Sequence, residues 1–331
     1  MRDPGEKRVA IVGATGAVGR TIVQVLGERR FPVGHLVPIA TGSGEHKEIE
    51  AFGRSWPVLP VGESDFAGLD VAFFTAGAAV SAQLVPQALD QGCRVVDNTT
   101  AFRMAGDVPL VIPEINASEI GPDTRLAACP NCTAIVLAMS LAPIHAAVPV
   151  MRVVVTSFQS VSGAGREALE ELDAQIDADR RGEAIRPNVF PGQIAFNCLP
   201  IIGGVLESGY TNEEQKIMEE IQKIFGRPDL GVVATAVRVP TRVGHGVAVN
   251  VELGAPLTTD DAAALWRDAR GVAYTDGVPT PADVAGTDTV VIGRMRRDPT
   301  RPHAITYWAV GDNLRKGAAT NSVQIAELFS P

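Results

Sequence analysis

Apolar positions along the chain follow two different rhythms. In the first third, short unbroken apolar runs alternate with stretches of helical period. The first run is Arg8-Val9-Ala10-Ile11-Val12; it ends in Gly13-Ala14-Thr15-Gly16-Ala17-Val18-Gly19, and a helical pattern covers residues 20–26. Further apolar runs lie at 36–39, 71–74 and 95–96, with a helical pattern over 80–91. Continuous apolar strands alternating with helices predict a parallel sheet covered on both faces. In the second half, residues 153–158 read as a strand and 167–180 as a charged helix. Residues 234–240 and 247–253 alternate with period two around a glycine-containing loop, which predicts two strands of a sheet. From Gly311 a helical pattern returns, ending Val323-Gln324-Ile325-Ala326-Glu327-Leu328-Phe329. No internal repeat or low-complexity tract interrupts this plan.

A chain of 331 residues exceeds what one core usually organises, so two domains are expected. Lysine and arginine total 29 against 38 aspartate and glutamate, a formal charge of −9. That balance excludes an electrostatic footprint for nucleic acid or anionic membrane, and any anionic substrate must be met by local basic residues. No apolar run reaches the roughly 18 residues of a membrane span. The basic start of the chain invites a signal-peptide reading, but Gly13, Gly16 and Gly19 break the apolar stretch behind it, as a strand and tight turn would. Cys93, Cys129, Cys132 and Cys198 match no secreted disulfide framework, so a reducing, cytoplasmic setting is expected.

The glycine segment directly after the first strand carries the first chemical signal. A glycine-rich βα turn lets a pyrophosphate approach backbone N–H groups at the positive end of a helix. The spacing here is G-x-x-G-x-x-G rather than G-x-G-x-x-G, and a plain tight turn is the competing reading. The second strand is expected to end near Ile39-Ala40-Thr41. No acidic residue stands there until Glu45 to hold a ribose 2′-hydroxyl; Thr41, Gly42, Ser43 and Gly44 are small, and His46 and Lys47 follow. This favours NADP modestly over NAD.

Ala128-Cys129-Pro130-Asn131-Cys132-Thr133-Ala134 leads into an apolar run at 135–141. Asn131 is suited to cap a helix, placing Cys132 in its first turn, where the helix dipole favours a nucleophilic thiolate. Two alternatives stand beside this: a small core thiol, and a C-x-x-C redox pair or half metal site with Cys129. No second C-x-x-C or spaced histidine pair accompanies it, and no metal is expected. Of five histidines, His245 stands apart, between Gly244 and Gly246. The flanking glycines suggest an imidazole exposed in a turn, titrating near neutrality as an acid or base. Arg238 on the preceding strand is placed to pair with a carboxylate. Thr211-Asn212-Glu213-Glu214 reads as a helix start with a capping box, with Ile217, Ile221 and Ile224 as its buried stripe. Glu213 and Lys216 are then i,i+3 neighbours, as in an ordinary surface ion pair.

Seven segments in order carry a resemblance. They are the glycine segment 13–19; Asp97-Asn98-Thr99-Thr100-Ala101-Phe102-Arg103-Met104; Pro130-Asn131-Cys132; Gln159-Ser160-Val161-Ser162-Gly163-Ala164-Gly165; Gln193-Ile194-Ala195-Phe196-Asn197; Arg238-Val239-Pro240 with Gly244-His245; and Asn313-Leu314-Arg315-Lys316-Gly317-Ala318-Ala319. Over nearly its whole length the chain resembles bacterial aspartate-semialdehyde dehydrogenase. The resemblance implies phosphate-dependent interconversion of aspartate β-semialdehyde and β-aspartyl phosphate with NADP, in lysine, threonine and methionine biosynthesis. It implies Cys132 as nucleophile, His245 as acid/base and Gln159 as the residue orienting the intermediate. Arg238 would bind the α-carboxylate and Glu213 the amine, with Arg103, Asn131 and Lys216 on phosphate. Gly13, Thr15, Gly16, Ala17, Val18, Thr41, Gly42, Ser162, Gly163 and Asn321 would hold NADP. Where the family usually carries an Arg-Ser pair after the second strand, this chain has Thr41-Gly42. The implied architecture is α/β, a Rossmann-type doubly wound domain over 1–130 completed by a C-terminal helix at 312–331. An α+β catalytic and dimerisation domain covers 131–311, in a homodimer or tetramer. A related acyl-phosphate reductase acting on an amine-blocked substrate, and a catalytically idle dinucleotide-binding paralogue, are the rival readings.

Overall fold

The computed structural model describes residues 5–42 and 48–329. Ser43, Gly44, Glu45, His46 and Lys47, which bear on the 2′-phosphate question, lie outside the described residues. The chain divides into two compact units, Met1–Pro130 with Ala318–Pro331, and Asn131–Gly317.

In the first unit, β1 (Lys7–Val12) runs through the glycine turn into α1 (Ala17–Glu28), then β2 (Val33–Ala40). A hairpin of β3 (Glu48–Ala51) and β4 (Arg54–Pro57) and the short β5 (Leu59–Pro60) follow. Next come β6 (Val71–Phe74), α2 (Ala78–Asp90), β7 (Arg94–Asp97), α3 (Pro113–Asn116) and β8 (Leu126–Ala128). The main sheet has the order β5-β2-β1-β6-β7-β8, every pair parallel. The reversal at β1 makes it doubly wound, and such a sheet opens a crevice at the strand ends where the order turns back. Val9 to Val12 and Val71 to Phe74 are buried on both faces, the reason these strands read as unbroken apolar runs.

The second unit begins with α4 (Cys132–Ala147), apolar all round and buried from Thr133 to Leu141. After it come β9 (Val150–Gln159), α5 (Arg166–Arg180), α6 (Asn212–Ile224), β10 (Gly231–Arg238) and β11 (His245–Leu253). The unit closes with α7 (Thr259–Asp268), β12 (Val272–Tyr274), α8 (Pro281–Val284), β13 (Val290–Arg297) and β14 (Ala304–Gly311). The mixed sheet runs β10-β9-β11-β14-β13-β12. The two strands around the Gly244 loop therefore share a sheet without pairing; β9 lies between them, parallel to β10 and antiparallel to β11. Helices α4, α6 and α7 pack on one face. On the other, Val154, Thr156, Phe158, Val237 and Trp308 are half-buried and Val233 is exposed.

Helix α6 starts with the expected reciprocal cap: the Thr211 hydroxyl accepts from the Glu214 N–H, and the Glu214 carboxylate from the Thr211 N–H. Its isoleucines at 217, 221 and 224 are buried. Asp312 to Gly317 stay with the second unit, where Asp312 accepts from the amides of Gly286, Leu314 and Arg315, and Arg315 pairs with Asp288. The chain then returns to the first unit as α9 (Thr320–Leu328), which packs on α1 and β7. Arg29 and Glu327 join the two helices at 2.6 Å, and Gln324 donates to Glu114. Among the described residues no helix is long and apolar enough to cross a membrane.

Candidate active site

The glycine turn of the first unit is built by close approach. Gly13 has φ +97°, and a Cβ there would fall 2.4 Å from the Thr75 hydroxyl; one on Gly19 would fall 2.2 Å from the Gly13 carbonyl oxygen. Gly16 sits at the N-cap of α1 and offers no side-chain cap, so the first amides of that helix are not satisfied by a capping side chain. Thr15, Ala17 and Val18 are half-buried around them, and Thr41 and Gly42 follow β2 exposed. A helix N-terminus with these features can hold a phosphate. Elsewhere in this unit, buried Arg103 donates to the carbonyls of Cys129 and Asn98 at 2.9 and 2.7 Å. Asn321, fully buried, donates from Nδ2 to the Val111 carbonyl at 2.8 Å and to Cys129 Sγ at 3.3 Å. Cys129 is thus a buried thiol engaged in the first unit, whereas Cys132 opens the second; neither is disulfide-bonded.

In the second unit, Asn131 caps α4, its Oδ1 accepting from the amides of Thr133 and Ala134 at 2.8 and 3.3 Å. Cys132 is half-buried in the first turn, and the backbone of Gly317 passes close to it: a Cβ there would lie 3.1 Å from the cysteine Cβ. Asn131 Nδ2 donates to Glu213 Oε1 at 2.8 Å, and Gln159 Nε2 donates to the same oxygen at 3.1 Å. Lys216 lies 3.8 Å from the other carboxylate oxygen. Glu213 is only 8% exposed, so the pair is not on an open helix face. Arg238, also buried, donates to the Ser160 carbonyl at 2.7 Å. Burial pulls its guanidinium below its usual pKa, and the charges of Cys132 and Glu213 pull it back up. Cys132, Arg238 and Glu213 therefore form one electrostatic cluster, with Gln159, Asn131 and Lys216 attached through Glu213.

His245 corrects the sequence reading. It is the first residue of β11 and is 0% exposed, not presented in an open turn. The flanking glycines serve close packing instead. A Cβ on Gly246 would fall 2.2 Å from the Trp308 ring, and one on Gly244, which has φ +91°, 2.6 Å from the Pro281 carbonyl. Burial, then the Arg238 cation, hold the imidazole down to about 3 against a smaller opposing pull from the Gly244 backbone. The ring is thus neutral across the physiological range rather than poised at its midpoint. Its Nδ1 accepts from the Ser160 N–H at 3.1 Å, and its Nε2 is buried without a partner. Gly163 passes close to that nitrogen, where a Cβ would come within 3.3 Å of Nε2 and 3.0 Å of the Arg238 guanidinium.

Residue types and periodicity do not single out Ser160, Asn313 or Glu220. Glu220 receives the Asn131 N–H at 2.5 Å, while Ser160 and Asn313 stand behind His245. The available signal is position: Ser160 and Asn313 both fall inside the family-like segments. Thr133 Oγ1 and Asn98 Nδ2 are further buried polar atoms without a partner.

Residues 8–122 match the family described as semialdehyde dehydrogenase, NAD binding domain, and residues 141–316 the family described as semialdehyde dehydrogenase, dimerisation domain. A dinucleotide-binding domain is therefore present. The aspartate-semialdehyde dehydrogenase of Legionella pneumophila is 45% identical over 329 residues, covering 97% of this chain and 95% of its own. That of Shewanella sp. strain DB6705 is 43% identical over 330 residues, 98% of each chain. The crystal structure of aspartate semialdehyde dehydrogenase II from Vibrio cholerae complexed with ASA superposes with a TM-score of 0.95 at 42% identity, covering 98% of both chains. Two domain matches in order and full-length identity above two-fifths place the chain in the aspartate-semialdehyde dehydrogenase family of oxidoreductases.

Proposed function

We propose that this chain interconverts L-aspartate 4-semialdehyde and 4-aspartyl phosphate, with phosphate and NADP, through a thioester on Cys132. The observation that carries the reading is the grouping of a half-buried thiol, Cys132, with a buried cation and a buried carboxylate, Arg238 and Glu213, the carboxylate accepting at 2.8 Å from Asn131, the residue next to Cys132. An amino acid aldehyde has a carboxylate and an ammonium to match that cation and carboxylate, and a carbonyl for the thiol. The Vibrio cholerae relative complexed with ASA supports the same substrate.

The α4 dipole and the nearby Arg238 cation favour the Cys132 thiolate. The thiolate attacks the aldehyde carbon to form a hemithioacetal, and His245 Nε2 exchanges a proton with the oxygen of that adduct. After oxidation the acyl group rests on sulfur as a thioester, and phosphate displaces the sulfur to give the acyl phosphate. Arg238 binds the α-carboxylate, Glu213 the ammonium, and Gln159 orients the acyl group. Lys216, Asn131 and Arg103 receive phosphate. NADP, held by Gly13, Thr15, Gly16, Ala17, Val18, Thr41, Gly42, Ser162, Gly163 and Asn321, supplies the hydride acceptor. The uncapped amides of α1 fit its pyrophosphate. The choice of NADP over NAD rests on the absence of an acidic side chain at Thr41-Gly42. The half-exposed face of the second sheet, in the segment matching a dimerisation domain, supports a homodimer. A cytoplasmic setting suits a reaction on free phosphate and nicotinamide pools.

Isolating the product formed from aspartate semialdehyde, phosphate and NADP tests the reading; an acyl phosphate that hydroxylamine traps as the hydroxamate is expected. Cys132→Ala should abolish its formation while dinucleotide affinity stays nearly unchanged. Near-normal turnover by that variant would reject the thioester route, and consumption of only an amine-blocked analogue by the wild-type enzyme would reject the substrate.

A further inference from the structure

His245 is held at one nitrogen and open at the other. Nδ1 lies 3.1 Å from the Ser160 backbone N and 3.1 Å from Ser160 Oγ, while Nε2 has no partner. Ser160 Oγ is in turn 3.0 Å from Asn313 Oδ1 and 3.1 Å from Ser162 Oγ. The orientation of the Asn313 amide follows from its neighbours. The Gly244 N–H can only donate, and it meets Oδ1 at 2.9 Å, so Nδ2 is the atom that donates to Ser162 Oγ at 3.0 Å. Ser160, Ser162, His245 and Asn313 are all buried, so these bonds act at low local dielectric.

The Ser160 hydroxyl therefore has a single proton to give and three atoms that can take it, His245 Nδ1, Asn313 Oδ1 and Ser162 Oγ. With the ring protonated at Nε2, Nδ1 is an acceptor and takes the Ser160 N–H and O–H. For Nε2 to accept a proton from a reacting group, Nδ1 must already carry one. The hydroxyl then turns its proton to Asn313 Oδ1 and accepts from Nδ1–H, and the Ser160 N–H, 3.1 Å from Nδ1, loses its acceptor. The Ser160 N–H alone favours only the first arrangement.

We propose that Asn313 is a positioning residue for His245, holding the Ser160 hydroxyl as a two-way partner of Nδ1 so that Nε2 can both donate and accept. In the accepting step the bond to the proton breaks at the thiol or adduct hydroxyl and forms at Nε2. The resulting imidazolium keeps its Nδ1–H on Ser160 Oγ, and no other reactant is consumed. The charged group facing the ring is Arg238 on β10, itself coupled to Cys132 on α4 and Glu213 on α6. This inference rests on the proposed acid/base role of His245, but its ring chemistry can be read without turnover.

The test combines ring-nitrogen NMR of 15N-histidine-labelled enzyme, with His245→Asn assigning the signal, and the pH profile of kcat. Asn313→Ala and Ser160→Ala should lower kcat at least about tenfold, with KM and dinucleotide Kd within about twofold, and should shift the His245 ring signals toward the pure Nε2–H tautomer. Ser160→Thr keeps the hydroxyl and should recover most of the loss. Asn313→Asp, nearly isosteric, places a carboxylate behind the serine and should move the His245 titration and the acidic limb of kcat to higher pH by a unit or more. Unchanged ring signals and an unmoved acidic limb in Asn313→Ala and Asn313→Asp would overturn the proposal, even if kcat fell, because the role would then be structural only. A wild-type enzyme inert toward the semialdehyde would instead strike the proposed function, leaving the NMR arm to decide this point alone.

Discussion

The burial of His245 predicts a specific acid sensitivity. A free histidine in the unfolded chain titrates near 6.5, while burial and Arg238 hold this one down to about 3. Below 6.5 the unfolded state binds a proton that the folded state refuses, so the stability contribution is complete above 6.5 and is lost as pH falls toward 3. At about 1.4 kcal/mol per pH unit, roughly 2 kcal/mol is lost by pH 5, and on the order of 5 kcal/mol over the whole interval. The measurement is urea unfolding at pH 8 and pH 5, followed by tryptophan fluorescence; Trp266 and Trp308 lie in the second unit with His245. His35 and His145, lowered by partial burial and then by neighbouring arginines, titrate with the same sign. The wild-type curve must therefore be compared with that of His245→Asn, and the difference in pH dependence isolates the one ring. Parallel curves for the two proteins, or a His245 ring signal titrating between pH 7 and 6 in the folded enzyme, would refute the reasoning.

Other consequences are equally open to measurement. Glu213→Gln should reduce kcat/KM for aspartate semialdehyde by about 1.5–3 kcal/mol more than for an analogue lacking the amine; equal losses on both would remove Glu213 from the ammonium. Gly246→Ala, whose Cβ would sit 2.2 Å from the Trp308 ring, should lower stability by about 1–3 kcal/mol and depress kcat, and a wild-type urea midpoint would contradict the packing. NADP should be preferred over NAD in kcat/KM, and Thr41→Arg should widen that preference, since a guanidinium grips a phosphate better than a threonine hydroxyl. Parity of the two cofactors in the wild-type enzyme would exclude the NADP reading.

Local signals are legible where one segment decides its own structure. The first strand, the glycine turn, the Asn131 cap and the Thr211–Glu214 box each depend on residues a few positions apart, and each is readable from the chain. What needs distant partners is not. Gly244 and Gly246 read as signs of an exposed His245 because Pro281 and Trp308, which press on that backbone, lie far downstream and meet it only in the folded unit. A local reading of the sequence cannot see either contact. The same holds for β10 and β11: their pattern puts both in one sheet, and only the fold shows that β9 lies between them. Glu213 looks like half of a surface ion pair because its buried donors, Asn131 and Gln159, come from other parts of the chain.

The return of the chain to its first unit sets an order of assembly. Helix α9 packs on α1 and β7, and Arg29 reaches Glu327 across 298 positions of sequence. A ribosome that has released the first 130 residues has therefore not yet supplied everything the nucleotide-binding unit packs against. The second unit, contiguous from Asn131 to Gly317, has all its residues available earlier than the first does, although its synthesis starts later. Closing a loop of that length costs little more than closing a shorter one, but it comes late. During synthesis the surface of α1 that α9 will cover stays bare until residues 320–328 have been made, and an uncovered apolar face is open to wrong contacts for that interval.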